Sequence, residues 1–154
     1  MKVINIVGQP SAGKTALALG LSYIMKRQHL NVELVPEYNK DIIYEDHNFA
    51  LSRELIIFTE KYKRIKRLEN HVDYVVTDSS LLNSIFYSNE FGSLGAEFFA
   101  HVAGLFDNEY IFVERVWPYV PSGRMENEQE ADRISGVIRE WLSARRIPFH
   151  VVKG

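Results

Sequence analysis

The stretch GQPSAGKT, residues 8–15, sets Gly8, Gly13, Lys14 and Thr15 at the spacing G-x-x-x-x-G-K-[ST]. Each residue type there suits phosphate. Glycines let the backbone take dihedrals closed to other residues, so that N–H groups turn inward around an anion. A helix that starts at the lysine adds the partial positive charge of its N-terminus. The Lys14 ammonium can reach the β- and γ-phosphates of a nucleotide, and the Thr15 hydroxyl is placed to ligate Mg²⁺. Gly8, Pro10, Ser11, Ala12, Gly13, Lys14, Thr15 and Ala16 are therefore the expected nucleotide-binding set, with ATP as donor and Mg²⁺ as its metal.

Further residues have types suited to moving a phosphoryl group. Asp78 follows the apolar run DYVVT, and an acid at a strand end beside the loop can hold Mg²⁺ directly or through water. The alternative is that Asp78 caps a helix at Leu81. Glu37 in VPEYNK stands at the end of another strand, where a carboxylate can accept the proton of an attacking hydroxyl. Tyr38 beside it is either a base-stacking ring or packing. Arg115 and Arg124 flank Pro118, Pro121 and Gly123, the composition of a hinged lid. Two arginines closing over a γ-phosphate supply positive charge to the transition state and exclude water. The bland reading pairs Arg115 with Glu114 or Glu126 on the surface, where it contributes little. Arg133 is near enough in sequence to join the set.

Lys61, Lys63, Arg64, Lys66 and Arg67 crowd the run KYKRIKR. A solvated helix end that complements the helix dipole accounts for them, with Glu60 and Arg64 as an i, i+4 pair. The sharper reading is a patch for DNA or RNA, although the run has no stacking platform. The histidines at 29, 47, 71, 101 and 150 show no metal spacing and read as structural.

These groups need a scaffold. KVINIV (residues 2–7) is a buried strand, and 14–28 a helix with Leu17, Leu21 and Ile24 on one side. Strands follow over 31–36 and 73–77. Residues 41–48 read as polar and irregular. Asn48 then caps a long helix with a stripe of Leu51, Leu55, Phe58, Tyr62 and Ile65. Ser80 caps a helix over 81–89, and another spans 95–106. A fourth strand covers 110–116. Asn127 and Glu130 form a capping box for a helix whose inner face is Ile134, Val137, Ile138, Trp141 and Leu142. A last strand covers 148–152. Strands alternating with helices predict a parallel sheet with right-handed crossovers, covered on both faces.

At 154 residues the chain is expected to be one domain, 1–154, with a lid at about 116–130. With 46% hydrophobic and 25% charged residues it reads as an ordinary globular protein, and a net charge of −2 gives no global pull toward nucleic acid or membrane. The absence of cysteine excludes disulfides, thiolate metal sites and cysteine nucleophiles, and fits a reducing, cytoplasmic compartment. The first apolar run is too short for a signal peptide, and none approaches the ~20 residues of a membrane span.

The run IVGQPSAGKTALALGLSYIMKRQHLNVELVPEYNKD, with DYVVTDSSLLNSIFY and PYVPSGRMENEQEAD, resembles the small P-loop kinase-like ATPases related to the nicotinamide-riboside kinase domain, many of them encoded by bacteriophages. The resemblance covers most of the chain. It implies a three-layer α/β/α P-loop NTPase fold with a five-stranded parallel sheet and a short lid. The lid would carry a Gly-Arg motif, here Gly123 and Arg124. Glu37 would face the acceptor, as the corresponding acid does in deoxynucleoside kinases, and Asp78 would be the strand-end acid. The chain is expected to depart from better-known relatives in lacking a second, nucleotidyltransferase domain. It also lacks the Glu-Arg-Ser stretch that deoxynucleoside kinases place where TDSS stands here.

The expected activity is transfer of the γ-phosphoryl group of ATP, with Mg²⁺, to a hydroxyl or phosphate of a nucleoside, nucleotide or related riboside. The expected setting is the cytoplasm, that of the host cell if the protein is phage-encoded, and the expected state a monomer or homodimer with Phe98 and Phe99 exposed. The runner-up acts on a hydroxyl within DNA or RNA. A regulatory NTPase that signals through shape is the third reading; no glutamine is placed for attacking water, and the lid arginines are supplied in cis.

Overall fold

The structure, a computed structural model, describes residues 1–45, 54–87, 92–120 and 127–154. Along it run β1 (Lys2–Gly8), α1 (Lys14–Arg27), β2 (Val32–Val35), α2 (Tyr38–Tyr44), α3 (Glu54–Lys66), β3 (Tyr74–Thr77), α4 (Asn83–Tyr87), α5 (Gly92–Ala103), β4 (Asp107–Glu114), α6 (Glu128–Ala144) and β5 (His150–Lys153). The strands form one parallel sheet in the order β2-β3-β1-β4-β5.

That order dictates the layers. From β1 the chain moves across the sheet one way, to β2; every later crossover moves the other way. With right-handed crossovers the first connection must cover one face and the rest the opposite face. The two cores agree. Ala18 and Met25 of α1 pack with Ile6, Val32, Val76 and Val113. On the other face Phe58 and Ile65 of α3, Phe99 of α5, and Ile134, Ile138 and Leu142 of α6 pack with Val3, Val7, Val75 and Phe112. The period-2 alternation along β1 sends Val3 and Val7 to one side and Ile6 to the other. Each such fully buried side chain contributes about 1.5–3 kcal/mol. Parallel strands bring all five C-terminal ends to one edge, and the chemistry-bearing residues leave from there.

Local differences from the sequence reading have physical causes. Residues 38–44 form a helix, which takes in 41–44 of the segment expected to be irregular. Pro36 ends β2, Glu37 takes an extended N-cap conformation, Asp41 sits favourably in the first turn, and Ile42 is wholly buried. The inner face of α3 is Glu54, Ile57, Phe58, Lys61 and Ile65, rotated from the expected stripe; Leu55 is exposed and Tyr62 half-buried. β4 begins at Asp107 rather than Tyr110, because its pairing with β1 starts at Lys2↔Asp107, and the ladder to β1 is spent at Gly8↔Val113. Leu81 and Leu82 belong to a turn ahead of α4, where Ser80 Oγ accepts from Leu82 N at 3.2 Å. Phe99 is buried, although Phe98 is exposed as expected. Asn48, Leu51 and the end of the expected 81–89 helix lie outside the described residues.

α6 starts with the capping box as read: Asn127 Oδ1 accepts from Glu130 N, and Glu130 Oε2 accepts from Asn127 N, both at 2.9 Å. Its inner face is Ala131, Ile134, Ile138 and Leu142; Val137 is 38% exposed and does not belong to it. Ile138→Ala should therefore cost about 2–5 kcal/mol in urea unfolding, and Val137→Ala less than about 1 kcal/mol. The opposite order would contradict this packing.

Candidate active site

The loop between β1 and α1 is built by backbone conformations that its residue types allow. Gly8 has φ 135°, Ser11 φ 65° and Gly13 φ 87°. At Gly8 the demand is also steric, since a Cβ there would lie 2.5 Å from the Val113 carbonyl oxygen. Gly13 is the N-cap of α1 and offers no side-chain cap, and the first turn holds no acid. A helix N-terminus of this composition favours an anion through its partial positive charge. The Lys14 ammonium folds back over the loop and donates to the Gly8 and Gln9 carbonyls at 3.2 and 2.9 Å.

β3 lies beside β1 in parallel register, Asn5 opposite Thr77, so Asp78 emerges next to the loop. The Thr15 hydroxyl donates to Asp78 Oδ2 at 2.6 Å. Asp78 is 3% exposed, and its Oδ1 is buried without a hydrogen-bond partner. A buried carboxylate oxygen left this way is costly unless something binds it. One hydroxyl and one carboxylate make a small hard-oxygen set that fits Mg²⁺, which keeps several waters and takes phosphate oxygens. Cap duty does not account for Asp78, since the turn before α4 is served by Ser80.

Glu37 stands at the same edge, after β2. Its side chain makes no cap bond to α2. It lines one cavity of about 170 Å³ together with Ser11, Ala12, Gly13, Lys14, Thr15 and Ala16. Gly8 shapes the loop, Pro10 is buried, and neither is in that wall. Tyr38 carries the Arg64 guanidinium over its ring at 4.7 Å.

Arg115 follows the last residue of β4. Its side chain is 9% exposed and donates to Glu128 at 3.0 Å and Asp132 at 2.8 Å, not to Glu114. Asp132 also accepts from Gln9 of the loop at 3.1 Å. Tyr119 lies against the guanidinium, and Arg115 Nη1 is buried without a hydrogen-bond partner. Val120 N donates to Ser11 Oγ at 3.1 Å, so the start of the expected lid is tied to the loop. Gly123 and Arg124 lie outside the described residues. Sequence reasoning missed Gln9, an unspecified position within the loop pattern, and Asp132, which carried no motif.

The basic run divides. Arg64 pairs with Asp41 and Glu60, Lys63 with Glu60, and Lys66 with Glu69, which neutralises much of the surface charge. Lys61 is not on that surface at all; it is 4% exposed on the inner face of α3. Its spacing from Ile57 and Ile65, one turn each way, was the signal in the sequence.

A family model described as an AAA domain matches residues 3–154. The chain belongs to that family. No curated protein matches it. Among solved structures it is similar to the NadR protein crystallised with NAD and AMP-PNP, at 16% identity and a TM-score of 0.69; the match covers 99% of this chain and 44% of that one, so this chain spans less than half of NadR. It is also similar to thymidylate kinase from Ehrlichia chaffeensis, at 16% identity and TM-score 0.65, covering 98% of this chain and 86% of that one. Likeness at this identity establishes the three-layer P-loop NTPase fold.

Gly8→Ala should cost about 1–3 kcal/mol in urea unfolding from the forced backbone conformation. Gly20→Ala in α1, where a Cβ meets nothing within 4 Å, should cost nothing or stabilise. Equal tolerance at both positions would contradict the loop geometry.

Proposed function

We propose that the chain is a phosphotransferase that takes the γ-phosphoryl group of ATP and delivers it to a hydroxyl or phosphate of a nucleoside, nucleotide or related riboside. The observation that carries this reading is Glu37 in the wall of the cavity formed by the phosphate loop. A carboxylate in that wall can accept the proton of an acceptor hydroxyl brought to the γ-phosphate.

In this reading the loop amides and Lys14 hold the donor phosphates. Thr15 and Asp78 would hold Mg²⁺, which when bound neutralises charge on the β- and γ-phosphates. Glu37 accepts the proton of the acceptor hydroxyl as its oxygen bonds to the γ-phosphorus, and the bond to the β,γ-bridging oxygen breaks to release ADP. Arg115 and Arg124 offset the charge on the transferring group. For Arg115 this requires its buried Nη1, or release from Glu128 and Asp132.

The family description names an AAA domain and no acceptor, which favours the regulatory NTPase as the second reading. The internally paired basic run weakens the reading as a DNA or RNA kinase. Among the described residues no helix is long and apolar enough to cross a membrane.

Two variants test the assignment. Glu37→Gln should lower transfer to an acceptor at least tenfold while background ATP hydrolysis changes little; equal losses would remove Glu37 from the acceptor side. Arg124→Ala should lower kcat far more than ATP affinity, because its charge matters mainly in the transition state. An unchanged kcat would end the lid assignment.

A further inference from the structure

Asp132 of α6 carries two bonds that folding stability does not explain. One oxygen, Oδ1, accepts from Gln9 Nε2 of the phosphate loop at 3.1 Å and from Arg115 Nη2 at 2.8 Å. The Asp132 side chain is 57% exposed, and ion pairs to such a group add little to stability. The arginine is different: its side chain is 9% exposed. Glu128 takes the same Nη2 at 3.0 Å, and the Tyr119 ring lies 5.4 Å from the guanidinium carbon. Both acids thus hold one nitrogen, while Nη1 is buried without a hydrogen-bond partner. A buried guanidinium N–H left so is costly, and an anion that reaches it removes the cost. Gln9 connects this group to the second cation of the loop, because its backbone carbonyl accepts from Lys14 Nζ at 2.9 Å. Lys14 and Arg115 are both tied to Gln9, one through its main chain and the other through its side chain and Asp132.

We infer that Asp132 is a positioning residue: through the shared Oδ1 it fixes the Arg115 guanidinium to Gln9 of the phosphate loop, so that Nη1 stays set for a phosphate oxygen of the bound nucleotide. The inference rests on the reading of Arg115 as a group that offsets charge on the transferring phosphoryl. It chooses between the two routes open to that arginine: Nη1 acts while Nη2 keeps its acids. Without Asp132, Nη2 would keep only Glu128, an exposed side chain at the first residue of α6. Among the described residues no hydrogen bond would then carry the position of the loop to the guanidinium. Misplacing a charge by about 1 Å at a reacting centre can cost on the order of a hundredfold in rate. The competing account has Glu128 and Asp132 park Arg115 away from the nucleotide; removing Asp132 would then release the arginine and speed turnover.

A double-mutant cycle separates the two. Wild type, Asp132→Ala, Arg115→Met and the double variant are compared for ADP formation from Mg-ATP, which reads turnover whatever the acceptor, and for melting temperature. Asp132→Ala should lower kcat at least tenfold, leave KM for ATP within threefold, and barely move the melting temperature, since the side chain is exposed. Asp132→Asn, whose amide oxygen still accepts, should recover part of the loss. In the Arg115→Met background Asp132→Ala should change kcat less than twofold. An unchanged or faster kcat, a loss confined to KM, or the same fold-loss in both backgrounds overturns the inference and leaves the Arg115 reading standing. Arg115→Met alone having no effect on kcat removes both. Should Arg115→Met not fold, Arg115→Gln takes its place in the cycle and is read the same way.

Discussion

Everything at this site depends on β1 and β3 being parallel neighbours whose chains depart to opposite faces. From β1 the chain enters α1 on one face; from β3 it turns toward α4 and α5 on the other. The divergence opens a crevice at the C-terminal edge, the place where open α/β sheets bind ligands. The 2.6 Å bond from Thr15 to Asp78 spans that crevice. It joins the first turn of α1 to the end of β3, and it presents a hydroxyl and a carboxylate to one point. Glu37 reaches the same crevice because β2 is the neighbour of β3 and ends level with it, Val35 opposite Thr77.

Charge organises the rest. Positive groups and acids occur in interlocked sets rather than as isolated residues. Arg115 is shared by Glu128 and Asp132, and Asp132 is shared in turn with Gln9 of the loop. The start of the 116–130 segment is therefore coupled to the phosphate loop and to α6 before any ligand arrives. Such partly buried pairs hold geometry more than they add stability, since desolvation offsets much of their attraction. Arg64 does similar work farther out, bridging α2 and α3 through Asp41 and Glu60.

Much of this was legible in the sequence. The glycine loop, the strand before it and the helix after it are a strong local pattern, because few other backbones tolerate it. The capping box at Asn127 and Glu130 was readable because both partners lie in one turn. Parallel topology followed from the alternation of strands and helices. What was hidden depended on contacts distant in sequence. Residues 41–44 looked irregular because the helix they belong to is secured by Ile42 in the core and Arg64 from another helix. Lys61 looked like part of a basic surface because the letters beside it are basic, while helical spacing turns it inward. The surface alternative paired Arg115 with Glu114 or Glu126, whereas the partners seen among the described residues, Glu128 and Asp132, come from α6, brought alongside by the fold.

The central claim is that the phosphate held by this loop is passed to a small acceptor rather than to water. The direct measurement is the fate of γ-labelled phosphate with Mg²⁺ and a panel of nucleosides, nucleoside monophosphates, nicotinamide riboside and oligonucleotides. The account predicts label on one class of small acceptor, formed faster than free phosphate appears. Label released only as free phosphate, whatever the acceptor, would contradict it and leave a nucleotide-driven switch in its place.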